Sequence, residues 1–263
     1  MRKILIFCLM VWMVSCSMTN HEESDITTFE SLIIITPVEV LGQNSRELHF
    51  ICQTEKEYPC VNYPILTNKI IDENGIFVTF EGVKETDFCF TAIGPATATL
   101  DLGSKSNGRY HLELNTKVQR NVGNLMISDS EFILDFMDQN GIVISRKATK
   151  RVPNYIYWGT IGYHIESSID QVEEFIEKLK IEGAIFDKQT PGDYHYYQID
   201  QEGQIVVNRE NSGYWFLESF IFSFDGFEED FNENILSLSK EYFPDLYINI
   251  NTFKGEQIFN WGN

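Results

Sequence analysis

Through much of the first half of the chain, hydrophobic and polar positions alternate, and a period of two predicts strands. Leu48, Phe50 and Cys52 fall in phase over 47–52, and a β-branched run fills 32–35. Similar segments predict strands over 65–72, 76–83, 96–102, 109–115, 125–128, 132–137 and 142–145. Turn chemistry separates several of them: Asp72-Glu73-Asn74-Gly75, the stretch 103–108, and Asp138-Gln139-Asn140-Gly141. No helical period interrupts residues 29–147, so this part is expected to form an all-β sandwich.

The pattern changes after Asn154. A strand over 155–163 is followed by Ser167-Ser168-Ile169-Asp170, a capping-box-like start. Ile169, Val172, Phe175, Ile176 and Leu179 then line one helical stripe that ends before Gly183. Residues 194–199 and 204–208 flank Asp200-Gln201-Glu202-Gly203 as a hairpin. The run 214–224 is apolar on both parities, which predicts a central strand. A second helix starts at Asp225-Gly226-Phe227-Glu228, with Phe227, Phe231, Ile235, Leu238 and Tyr242 turned inward. Strands over 246–250 and 257–261 close the chain. The order predicts an α+β domain of ferredoxin-like flavour, two helices on one face of a mainly antiparallel sheet. Between the halves, the basic run 146–151 ended by Pro153-Asn154 reads as a linker over 148–154, giving domains at 29–147 and 155–263.

The chain has 20 basic and 39 acidic residues, a formal charge of -19, which argues against nucleic acid as a partner. The acid is unevenly spread: residues 153–263 hold 6 basic and 20 acidic residues, residues 16–152 hold 12 and 19. A cationic or neutral partner therefore suits the C-terminal part.

The first sixteen residues follow the plan of a secretory signal, with Arg2 and Lys3, an apolar run over 4–14, then Ser15 and Cys16. That run of eleven is well short of the roughly 20 residues of a spanning helix. Met13-Val14-Ser15-Cys16 resembles the lipobox of bacterial lipoproteins. The resemblance implies cleavage of residues 1–15, lipid attachment at Cys16 and a tether over 16–28. Glu22, Glu23 and Asp25 look like the acidic export signal of Bacteroides-group surface lipoproteins, which implies an outer-membrane location, with membrane contact through the lipid alone. Asn107 to Leu114, reading Asn-Gly-Arg-Tyr-His-Leu-Glu-Leu, is similar to late strands of immunoglobulin-like modules in envelope lipoproteins, which implies that type of sandwich.

An oxidising compartment would leave Cys52, Cys60 and Cys89 to pair. Cys52 is in phase with the core positions, so Cys60–Cys89 is the expected disulfide, with Cys52–Cys60 the alternative.

Motif chemistry is sparse. The three Asp- and Gly-containing turns do not continue into a calcium loop, and His21, His49, His111, His164 and His195 show no two at ligand spacing, so no metal is expected. There is no G-x-S-x-G and no Gly-rich phosphate loop, so neither catalytic residues nor a cofactor are assigned. Aromatic residues stand above background in the C-terminal part, with Trp158, Tyr196 and Trp215 as ligand-binding candidates. Flat rings beside polar groups suit sugar faces. The sequence therefore points to a lipid-anchored envelope protein that binds a glycan or an envelope protein without catalysis. The alternative is a hydrolase acting on an envelope or extracellular polymer.

Overall fold

The computed structural model describes residues 26–27, 31–206 and 213–261. Its strands are β1 (Ile26–Thr27), β2 (Ile33–Leu41), β3 (Arg46–Tyr58), β4 (Ile65–Asp72), β5 (Gly75–Lys84), β6 (Gly94–Asp101), β7 (Gly108–Thr116), β8 (Val122–Ile127), β9 (Glu131–Phe136), β10 (Ile142–Ile144) and β11 (Ala148–Lys150) in the N-terminal half. The C-terminal half adds β12 (Ile156–Tyr163), α1 (Ile169–Ile181), β13 (Gly192–Asp193), β14 (Gln198–Ile199), β15 (Ile205–Val206), β16 (Phe216–Ser223), α2 (Glu228–Lys240), β17 (Tyr247–Thr252) and β18 (Gln257–Phe259). The proposed leader, Cys16 and most of the tether lie outside the described residues. No described helix is long and apolar enough to cross a membrane.

The N-terminal half is a pair of sheets. One runs β1-β5-β7-β8-β9-β11 with β4 also on β5, the other β10-β2-β3-β6. Alternation places Ile33, Ile35, Leu48, Phe50 and Cys52 on the inner side of the second sheet. They meet Ile76, Val78, Phe80, Leu112, Leu114 and Leu134 of the first in one hydrophobic cluster. The β4–β5 turn works as its sequence requires: Asp72 Oδ1 accepts the N–H groups of Asn74 (2.7 Å) and Gly75 (3.2 Å). Cys60 and Cys89 form a disulfide, while Cys52 is free and buried, its thiol pushed up to about 12 by burial.

The basic run is built into the fold instead of linking two parts. β11 pairs with β9, and the side chains are taken up by carboxylates: Lys150 with Glu131 (2.7 Å), Lys147 with Asp135 (3.4 Å), Arg146 with Asp193. Arg151 Nε donates to Glu39 Oε1 at 3.0 Å, and the Val152 N–H to Glu39 Oε2 at 2.9 Å. Arg46 lies 3.8 Å from the same carboxylate and donates to the carbonyls of Val152 and Phe253 and to Asn154. Glu39, 1% exposed, is thus the charged node where the halves meet.

In the C-terminal half β16-β12-β17-β18 form an antiparallel sheet. Tyr157, Ile161, Phe220, Phe222, Ile248 and Ile250 share its inner face, with Val172, Phe175 and Leu179 of α1 and Phe231 and Ile235 of α2 in the same cluster. The ferredoxin-like order is not formed. That order needs a strand between the two that the first helix connects, whereas β12 and β16 are direct neighbours. β16 is an edge strand, not a central one; it is apolar on both parities because both sheet faces are partly covered. Phe227 caps α2 from an extended backbone conformation and is 66% exposed, not inward. Of the expected hairpin over 194–208, residues 207–208 lie outside the described residues; the rest forms the small sheet β13-β14-β15, where His195 takes a left-handed conformation (φ 63°) and turns the tyrosine run.

Candidate functional site

The outer face of the C-terminal sheet is assembled in rows by antiparallel register. Trp158 sits between Ile221 and Asn251, with Gln257 beyond. Thr160 sits between Ser219 and Asn249, with Phe259 beyond, and Gly162 between Leu217 and Tyr247. Two ends of this face have different fates.

At one end, the tyrosine turn folds over the sheet. Trp158 lies 5.6 Å from the Tyr196 ring and 5.1 Å from the Tyr197 ring and is 6% exposed. The Tyr196 hydroxyl accepts the Leu41 N–H at 3.2 Å, tying this cover to the N-terminal half. Burial, with Tyr194 and Glu39 nearby, raises the Tyr197 phenol above its ordinary range. Trp158 is therefore packing, not an open platform, and Tyr196 is a joint residue.

At the other end, rings gather with no cover among the described residues. Gly162 permits this locally: a Cβ there would lie 2.4 Å from the Tyr214 ring. Tyr214 lies 5.2 Å from Tyr247 and 5.4 Å from His164, and His164 is edge-on to Trp215 at 6.2 Å. The band continues from Tyr247 to Trp261 (6.1 Å), then to Phe259 (5.6 Å), with Phe243 edge-on to Tyr247 at 5.6 Å. Trp215 is 81% exposed, and Phe243 and Phe259 are also exposed. Burial, with Tyr247 beside it, raises the Tyr214 phenol, so this hydroxyl remains a neutral donor at ordinary pH.

Between the two ends lies a neutral polar strip: Thr160, Ser219, Asn249 and Asn251 are half-buried, and Gln257 is exposed. Gln257 Nε2 donates to Asn251 Oδ1 at 3.1 Å. Hydroxyls and amides offer both donors and acceptors without charge, and rings offer apolar faces. Phe243, Phe259 and Trp261 also line a groove of about 530 Å³ with Leu236 and Lys240 of α2.

Of the three sequence candidates, only Trp215 belongs to the open band. His164, Phe243, Tyr247, Phe259 and Trp261 were missed. Phe259, the last residue of β18, and Trp261 stand two apart and carried a readable signal, but His164 and Phe243 reach the band only through the tertiary fold. Comparisons with family models, curated proteins and solved structures find no match to this chain.

Proposed function

We propose that this chain is a lipid-anchored bacterial envelope protein that binds a neutral glycan through the aromatic end of its C-terminal sheet and performs no chemistry. The observation that carries the binding role is the band from Trp215 through His164 and Tyr247 to Trp261, uncovered among the described residues and edged by uncharged hydroxyls and amides. Ring faces stack on sugar C–H groups while amides and hydroxyls take the sugar hydroxyls. The acidic balance of the chain favours a neutral polymer over an anionic one.

The anchor rests on Met13-Val14-Ser15-Cys16, and an outer-membrane, surface-exposed location on the acidic residues behind it. In the same reading the N-terminal half is an immunoglobulin-like domain that spaces a C-terminal binding domain from the membrane. The separate hydrophobic clusters of the two halves support that division.

The test is native electrophoresis of the full chain through gels containing a neutral polysaccharide: laminarin, xylan or mannan. The reading expects retardation in at least one gel, abolished by Trp215→Ala. Unchanged migration in all three, with capture of an envelope protein instead, would transfer the band to a protein partner. Release of reducing ends would replace binding by the hydrolase alternative.

A further inference from the structure

Residues 47, 49 and 101 are separated in sequence, and strand pairing gathers them. Glu47 and His49 stand two apart on β3, so both leave the outer face of their sheet, away from the cluster that Leu48 and Phe50 enter. Antiparallel register sets Asp101 of β6 directly opposite His49. His49 Nε2 lies 3.2 Å from Glu47 Oε2 and 3.3 Å from Asp101 Oδ1, and the three donor atoms all lie within 4.8 Å of one another.

We propose that Glu47, His49 and Asp101 form a site for a divalent transition-metal ion, with Zn²⁺ the ion the donors suit best. One imidazole and two carboxylates supply three protein ligands and leave a fourth position for water or an incoming ligand. A tetrahedral ion bound at about 2.0–2.1 Å holds its donors about 3.3 Å apart. Both measured separations from His49 match that spacing. The ligands are also held from behind. The Gly103 N–H donates to Asp101 Oδ1 at 2.6 Å, and Ser45 Oγ lies 3.5 Å from Glu47 Oε1. Lys69 donates to the backbone carbonyl of Asp101, and among the described residues no lysine or arginine pairs with either carboxylate. With a neutral imidazole the cluster carries two negative charges.

A second cluster shows what an occupied arrangement looks like. His111 and Glu113 have the same spacing on β7, with His111 Nε2 2.9 Å from Glu113 Oε1. There Arg120 takes both carboxylate oxygens, at 3.0 and 2.5 Å. Its guanidinium neutralises that carboxylate. The same local motif is thus closed on one sheet and open on the other.

The experiment titrates the chelator-stripped full chain with Zn²⁺ by calorimetry and with Co²⁺ by visible absorption. The proposal expects one equivalent of Zn²⁺ at neutral pH that is absent in His49→Ala and weakened at least tenfold in Asp101→Asn. His111→Ala should bind as the wild type does. A wild-type chain that takes up no ion, a His49→Ala chain with unchanged stoichiometry, or an equal loss in His111→Ala overturns it. Should His49→Ala fail to fold, Asp101→Asn, an isosteric change at an exposed side chain, decides the matter alone: unchanged affinity overturns the site.

Discussion

In the N-terminal half two sheets face each other and direct their apolar sides into one cluster. In the C-terminal half the four-stranded sheet has helices on one face and only a partial cover on the other. A sheet with a partner sheet consumes its aromatic residues as packing. A sheet with a half-covered face divides them. Trp158 and Trp215 lie at opposite ends of the same sheet, 6% and 81% exposed, and the difference is the tyrosine turn that reaches only one of them. Residue type did not distinguish them; the position of a covering loop did.

The comparison can be broken most forcefully at the covered end. Trp158→Ala should cost about 3–5 kcal/mol, the usual cost of emptying a buried aromatic site, read by chemical denaturation. A loss below about 1 kcal/mol would mean that the tyrosine cover is loose. Glu39→Gln should cost a similar amount, about 3–5 kcal/mol, because it leaves Arg151 and the half-buried Arg46 without their anion. A calorimetric scan of that variant should show the joint weakened before either core. Replacing Cys60 and Cys89 with serine should remove about 3–4 kcal/mol, given a closed loop of 29 residues. That loss should fall on the N-terminal half, leaving the aromatic band intact.

A smaller effect concerns acid. Arg120, then His111 and Asn115, hold the Glu113 carboxyl down to about 2 against the opposing effect of burial. A carboxyl whose folded-state value is depressed contributes stability above its unfolded value of about 4.3 and loses it as pH falls toward 2. Denaturation midpoints followed from pH 5 to pH 2 should therefore decline less steeply in Glu113→Gln than in the wild type. Equal slopes would remove Glu113 from the acid response.

The N-terminal strands were readable in place, because period-two alternation and turns such as Asp72–Gly75 are local signals, but β2 and β3 run on well past the expected 32–35 and 47–52. β11 was not. Its basic residues resemble a solvated linker until Glu131, Glu39 and Asp193 are brought beside their neighbours by the fold. The tyrosine run looked like a strand because strands favour tyrosine, and nothing local marked His195 as a left-handed turn. The metal-ligand cluster was half legible: Glu47 and His49 share a face at spacing two, but Asp101 joins them only through the β3–β6 register. For the candidate site, Trp215 was visible as an aromatic residue, while its exposure was a property of the sheet's uncovered end.

The most direct measurement follows tryptophan emission while the full chain is titrated with oligosaccharides cut from whichever polysaccharide retards it. A surface variant such as Trp215→Ala should alter stability by no more than about 0.5 kcal/mol. The account predicts a saturable emission change in the wild type that disappears in Trp215→Ala at an unchanged melting temperature. The same change persisting in Trp215→Ala, or no change in the wild type, would contradict a glycan site at the open end of the sheet.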